Sequence, residues 1–118
     1  MVIKKFQEII AWQKAKDFAI EIYKHFRELK DYAFKDQICR AAVSISNNIA
    51  EGFDRSSDAD FVRFLYIAKG SCSELQSMIY IAHGLQYINT ETQINLETKS
   101  NEIGRLIRGL IKSIQKHK

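Results

Sequence analysis

The cations near the C-terminus of this chain are the residues whose type and spacing indicate chemistry most clearly. They are Arg105, Arg108, Lys112, Lys116 and Lys118. The first four recur at steps of three or four residues, which places them on one narrow arc of a helix, and no acidic residue follows Glu102. Such an arc binds phosphate groups by charge, with an affinity that falls steeply with salt and with little sequence specificity. The alternative is a solvated charged face that aids solubility.

Two lysines near the start of the sequence extend this prediction. Lys4 and Lys5 lie just before the first predicted helix, which is expected to lie antiparallel to the last one. Both lysines would then lie at the same end of the molecule as the C-terminal cations. The predicted nucleic-acid contacts are therefore Lys4, Lys5, Arg105, Arg108, Lys112 and Lys116. The formal net charge of +4 and the isoelectric point of about 9.1 are by themselves weak arguments for a nucleic-acid partner.

Polar residues also follow the region 37–74 at a heptad-like spacing, beside its apolar positions. We define the polar strip as Arg40, Ser44, Asn48, Glu51, Arg55, Ser71 and Glu74. A turn near 54–57 would fold one helix back on the next and bring these residues together, with Arg40 and Glu74 as the predicted charged pair. Such a strip is costly to bury unless its members satisfy one another. Two interpretations stay open: the strip fixes the register and partner choice between helices, or it forms a binding or catalytic site.

No pattern in the sequence predicts an enzyme. There is no Gly-rich phosphate loop, no HExxH motif and no Glu-x-x-His pair. Glu51 and Glu74 would make a carboxylate pair, but both have basic neighbours and a structural use. The histidines show no ligand spacing, and Cys39 and Cys72 are expected to be reduced thiols that act as small apolar side chains. We therefore expect no catalytic residue, no metal and no cofactor.

Four helices must position these residues. Apolar residues recurring at steps of three and four predict helices over approximately 6–29, 34–53, 57–86 and 90–116, within a single domain 1–118. The chain has no proline, and the predicted connections are short, as between antiparallel neighbours. Capping boxes at 57–60 and 90–93 mark two helix starts, and Gly52 and Gly70 would let the second and third helices approach closely. The predicted fold is all-α, an antiparallel up-down-up-down four-helix bundle.

The third predicted helix carries more apolar surface than one packing seam uses. A second row adjoins its core-facing row and consists of Phe64, Ile67, Met78, Ile81 and Leu85. Because no helix of a four-helix monomer is fully enclosed, this second row predicts self-association. The alternative is a broad core face covered by large side chains of the first helix. Tyr66 and Tyr80 lie on the polar side of the same helix, where they would stack on single-stranded bases or shield apolar surface.

The central region also resembles a known family. Residues 37–55 read QICRAAVSISNNIAEGFDR and residues 60–75 read DFVRFLYIAKGSCSEL, with AWQKA at 11–15 and RLIRGLI at 105–111. These stretches resemble the four-helix-bundle proteins encoded in intervening sequences of bacterial 23S ribosomal RNA genes. That family is similar to the accessory variability determinant of diversity-generating retroelements, a basic homopentameric barrel that binds reverse transcriptase and nucleic acid. The resemblance implies a pentameric barrel, and five subunits at +4 each would carry about +20.

Together these observations predict a non-enzymatic oligomeric bundle that binds nucleic acid, RNA or DNA, or a nucleic-acid-processing protein such as a reverse transcriptase. The alternative is a scaffold for protein partners, or an intervening-sequence protein without affinity for nucleic acid. No apolar run approaches the ~20 residues of a membrane span, and the N-terminal stretch lacks the apolar core of a signal peptide. We therefore expect a cytoplasmic protein with no membrane partner.

Overall fold

The computed structural model describes residues 3–116, which form a bundle of four α-helices. The helices are α1 (Ile10–Phe26), α2 (Tyr32–Phe53), α3 (Asp58–Gly84) and α4 (Thr90–Lys116), and a short 3-10 helix spans Phe6–Glu8. Helices that follow one another in the chain pack together, and α1 also packs on α4. The bundle measures 46 × 22 × 19 Å. Residues 3–116 contain no strand, so the prediction of an all-α helical bundle is confirmed.

The first helix begins later than the predicted residue 6, because the chain bends before it. Ile9 has an extended backbone (φ −78°, ψ 120°), which separates the 3-10 helix from α1. The Phe6 ring meets the edge of the Trp12 ring at 5.1 Å between centroids, and Gln13 Nε2 donates a hydrogen bond of 2.7 Å to the Gln7 carbonyl. These contacts fold the segment before α1 back against its first turns.

The side chains that cap the helices set three of the starts. Asp31 Oδ1 accepts from the Phe34 amide, so α2 begins at Tyr32 rather than near residue 34. Ser57 Oγ accepts from the Asp60 amide at 3.1 Å, as the capping box predicts. The predicted box at 90–93 is wrong, because Asn89 Oδ1 accepts from the Thr92 amide at 2.8 Å and acts as the cap of α4.

One apolar core runs through the whole bundle. Its largest fully buried side chains include Ile22 and Phe26 of α1, Ile38, Ile45 and Ile49 of α2, Leu65, Leu75 and Ile79 of α3, and Leu96, Ile103 and Ile107 of α4. Each such side chain stabilises the fold by about 1.5–3 kcal/mol relative to an exposed one. Burial of these side chains determines which face of each helix points to the solvent. The candidate site lies on these outward faces.

The second apolar row of α3 divides into two parts. Phe64 and Met78 are buried, whereas Ile67, Ile81 and Leu85 are each more than two-fifths exposed. A Cβ on Gly52 would lie 2.6 Å from Phe64 Cβ, so α2 and α3 meet closely where a glycine removes the side chain. The same expectation for Gly70 is wrong, since that residue lies on the exposed face of α3 and nothing lies within 4 Å of its Cβ position.

Candidate nucleic-acid interface

A groove between α3 and α4 gathers most of the C-terminal cations. It has a volume of about 430 Å³ and is lined by Tyr66, Lys69, Arg105, Arg108, Gly109, Ile111, Lys112 and Gln115. We call it the basic groove. Three of the predicted contacts, Arg105, Arg108 and Lys112, lie in it. The spacing of these residues along α4 therefore does place them on one surface.

The core-facing stripe of α4 is the reason that its cations face solvent. Ile103, Ile107 and Ile111 are buried, which turns the opposite side of the helix outward. The four cations of that side are exposed: Arg105, Arg108, Lys112 and Lys116. None of them lies within 4.0 Å of a carboxylate of the region 3–116. Their charges are thus not neutralised by neighbouring side chains, and they are free to bind an anionic ligand.

Lys69 is a member of the basic groove that the sequence pattern did not identify. It lies on the flank of α3 that faces α4, one turn before Cys72, whose Sγ donates to the Ser100 carbonyl at 3.3 Å. Its Nζ lies 5.9 Å from the centre of the Tyr66 ring. Sequence spacing did not identify Lys69, because its place depends on which flank of α3 faces α4, the flank from which Gln76 Nε2 also donates to Asn101 Oδ1 at 2.6 Å.

Tyr66 and Tyr80 are equally exposed, at 51% each, but they differ in what surrounds them. Tyr66 lines the basic groove, and its hydroxyl has no hydrogen-bond partner within the described part of the chain. The Tyr80 hydroxyl instead donates to the Glu97 carboxylate, and this hydrogen bond raises the pKa of Tyr80. Of these two tyrosines, Tyr66 is therefore the one that lies among cations.

The remaining predicted cations lie near the end of the bundle. Ile3 shares a cavity of about 270 Å³ with Ser113 and Ile114, so the N-terminal segment runs beside the end of α4. Lys4, Lys5 and Lys116 are exposed in this region but do not line the basic groove. Lys118 lies outside the described residues.

Three members of the polar strip form a hydrogen-bonded network across α2 and α3. Ser44 Oγ and Ser71 Oγ lie 2.8 Å apart, and Asn48 Nδ2 donates to the Ser44 carbonyl at 2.8 Å and to Ser44 Oγ at 3.0 Å. These groups are partly buried and satisfy one another, which removes much of the cost of burying them. Glu51 at the end of α2 and Arg55 in the connection to α3 form a separate pair, with 2.7 Å between Oε2 and Nη2.

The predicted pair of Arg40 and Glu74 is wrong. Arg40 Nε lies 3.2 Å from Asp36 Oδ2, one turn earlier on α2, and the Arg40 side chain is 80% exposed. Glu74 is exposed on α3 and has no cation of residues 3–116 within 4.0 Å. Asp36 lies one turn from Arg40 on the same helix face, so the two side chains pair without reaching across to α3. Glu51 is paired with Arg55.

Known proteins resemble this chain over most of its length. The model of a family described as 23S rRNA-intervening sequence protein matches residues 7–109. The chain belongs to this family. A solved structure, a protein of unknown function from the S23 ribosomal protein family of Bacteroides thetaiotaomicron VPI-5482, is 31% identical with a TM-score of 0.82. The match covers 87% of this chain and 99% of that one, while a comparison with curated proteins gave no match.

In this 23S rRNA-intervening sequence protein, the titratable groups outside the basic groove do not gather into a metal site. No group of three or more His, Cys, Asp or Glu residues between 3 and 116 is placed to hold a metal ion. Cys39 and Cys72 are both buried and unpaired, and burial raises the pKa of each thiol. None of the helices between residues 3 and 116 has the length and apolarity that a membrane crossing requires.

Proposed function

We propose that this 23S rRNA-intervening sequence protein is a non-enzymatic oligomeric bundle that binds the phosphate backbone of nucleic acid through the basic groove. The observation that carries the proposal is the gathering of Lys69, Arg105, Arg108 and Lys112 around one groove. No carboxylate of residues 3–116 lies within 4.0 Å of these cations. Unpaired cations bind phosphates and release counterions, so the affinity falls steeply with salt.

The position of Tyr66 favours a single-stranded ligand. Its half-exposed ring lies beside Lys69 in the basic groove, where a base stacks on it while the adjacent phosphates contact Arg105 and Arg108. Stacking is tolerant of sequence, because every base has an aromatic face. Contacts to phosphates carry no sequence information directly, so the proposed binding has little sequence specificity.

The proposed topology is antiparallel and up-down-up-down. Two contacts between α2 and α3 support it, the hydrogen bond between Ser44 and Ser71 and the edge-on contact between Phe53 and Phe61. Residue numbers rise on α2 as they fall on α3, as they do between antiparallel helices. The hydrogen bonds from Gln76 to Asn101 and from Tyr80 to Glu97 give the same pattern for α3 and α4.

The proposed assembly is a five-subunit barrel, and exposed apolar side chains on α3 support self-association. Ile67, Ile81 and Leu85 are 43%, 49% and 50% exposed, and a second subunit would cover them. The polar strip beside them then fixes the register of the packed helices. Five copies of the basic groove would add their fields, with about +20 in total from +4 per subunit.

The same exposed row supports a second candidate function, a scaffold that binds protein partners only. A reverse transcriptase or another nucleic-acid-processing protein would suit either candidate. Two buried unpaired cysteines agree with action in the cytoplasm, where thiols stay reduced. The scaffold predicts an oligomer whose mass is unchanged by RNA, which separates it from the leading proposal.

The test is RNA binding measured by fluorescence anisotropy over a series of salt concentrations, with mass measured by light scattering on the same samples. The double variant Arg105→Glu with Lys112→Glu should bind a short single-stranded RNA at least ~10-fold more weakly, with the log–log salt slope smaller by about 2. The matched control reverses Lys14 and Lys24, two exposed lysines of α1. Equal losses in both variants would show a net-charge effect and would reject the basic groove.

A further inference from the structure

A second pocket lies between α1 and α2 and shares no lining residue with the basic groove. It is lined by Tyr23, Arg27, Tyr32, Ala33, Lys35, Asp36 and Cys39, and its volume is about 590 Å³. We call it the tyrosine pocket. A volume of that size lies within the range of small-molecule sites, ~300–1,000 Å³. Its lining combines aromatic rings with cations, and the contacts of both groups determine which ligand it fits.

Aromatic side chains from two helices form the walls. Tyr23 near the end of α1 is 50% exposed, and Tyr32 at the start of α2 is 66% exposed. Neither hydroxyl has a hydrogen-bond partner in the region 3–116, so both hydroxyls are left for a ligand or solvent. The Cys39 side chain lies at the floor and is only 6% exposed. Burial raises the pKa of its thiol, so the floor is uncharged at neutral pH.

The rim of the tyrosine pocket is cationic. Lys35 Nζ lies 4.9 Å from the centre of the Tyr32 ring and donates to the Arg27 carbonyl at 3.3 Å, which fixes the ammonium group at the rim. The Arg27 guanidinium has no carboxylate of residues 3–116 within 4.0 Å. The acid of the pocket, Asp36, is paired with Arg40 at 3.2 Å. The positive charge of Arg27 and Lys35 is therefore left for a ligand.

We propose that the tyrosine pocket binds a small planar aromatic molecule that carries an anionic group. The aromatic ring stacks against Tyr23 and Tyr32, which supply large apolar faces at the mouth of the pocket. The anion contacts Arg27, whose fork of N–H donors matches a phosphate or carboxylate, and Lys35. A nucleoside monophosphate combines the two features at a size that fits the volume. The proposal is independent of nucleic-acid binding in the basic groove.

The test is a titration of the full ¹⁵N-labelled chain, followed by amide chemical shifts, with three probes: AMP, adenosine and inorganic phosphate. AMP should give saturable shifts at residues 23–39, and adenosine and phosphate should each produce these shifts at least ~10-fold more weakly. Phosphate that binds as tightly as AMP would overturn the aromatic half of the proposal. Adenosine that binds as tightly would overturn the anionic half, and the absence of saturable shifts would overturn both.

Matched variants separate the tyrosine pocket from the basic groove. Tyr32→Ala and Arg27→Gln should each weaken AMP binding, read from the shifts of residues 23–39, about 10-fold or more, whereas Tyr66→Ala and Arg105→Gln should leave these shifts unchanged. Tyr32→Phe keeps the ring and should bind as the unaltered protein does, which controls for damage to the start of α2. If the variants of the basic groove weaken AMP binding as much as those of the pocket, the site has been misplaced.

Discussion

The α2–α3 seam and the α3–α4 seam contain similar types of residue, but these residues have different roles in the two seams. Between α2 and α3, a glycine meets the partner helix directly, and Ser44 and Ser71 satisfy each other at 2.8 Å. Between α3 and α4, the seam widens into the basic groove, where Gly109 has nothing within 4 Å of its Cβ position. Small and polar residues close the first seam and leave the second open to a ligand. Residue type alone thus does not distinguish a packing contact from a binding surface.

The largest effect that this comparison predicts is on stability, from an added methyl group at Gly52. A Cβ there would lie 2.6 Å from Phe64 Cβ and 3.3 Å from the Phe61 carbonyl, so α2 and α3 must separate. Gly52→Ala should lower the free energy of unfolding by about 1–3 kcal/mol. Gly109→Ala, in an open part of α4, should raise it by up to ~1 kcal/mol. Urea denaturation of both variants measures the difference, and a similar shift in both would contradict the proposed contrast.

A smaller effect is expected from the polar network. Ser44→Ala leaves Ser71 Oγ and one donor of Asn48 without their partner in a partly buried seam, which should cost about 1 kcal/mol. Asn101→Ala removes a hydrogen bond of similar length at the exposed edge of the other seam and should change stability by less than ~0.5 kcal/mol. Thermal unfolding of the two variants compares them. Equal costs would mean that burial does not distinguish the seams.

The periodicity of the sequence predicts the helices, the core stripe and the outward arc of α4, because burial of one face follows from spacing alone. It also predicts the close approach at Gly52. Spacing does not decide between a partner on the same helix and one on the next, as for Arg40, which pairs with Asp36 on its own helix. It fails by one residue where neighbours can both cap a helix, as Asn89 and Thr90 can.

Other features depend on how each helix is oriented about its axis relative to the next helix, which spacing does not specify. Lys69 joins the basic groove only because its flank of α3 faces α4, which no pattern within α3 determines. The tyrosine pocket depends on the bend between α1 and α2, which brings residues from both sides of it together. Side chains that meet across helices are therefore the part of the site that needed the structure.

The smallest predicted effect concerns pH and the two tyrosines of the α3–α4 seam. The hydrogen bond to Glu97 raises the pKa of Tyr80 in the folded state above its unfolded value of about 10. A group with a raised folded pKa adds stability that is complete below the unfolded pKa and is lost as the pH rises through the folded one. Tyr80→Phe should therefore be less stable than the unaltered protein at pH 7, and the gap should close above about pH 10.

Tyr66→Phe is the matched control for this pH dependence, because Tyr66 as a residue is as exposed as Tyr80 and its hydroxyl has no hydrogen-bond partner within residues 3–116. Its unfolding curve should follow that of the unaltered protein from neutral to alkaline pH. Urea denaturation at several pH values measures both variants. Phe keeps the ring and removes only the hydroxyl, so a gap for Tyr80→Phe that persists at high pH would mean that the oxygen stabilises this end of the seam whether or not it carries its proton. The contributions of Tyr80 and Tyr66 to stability would then differ less in their pH dependence than the hydrogen bond to Glu97 indicates.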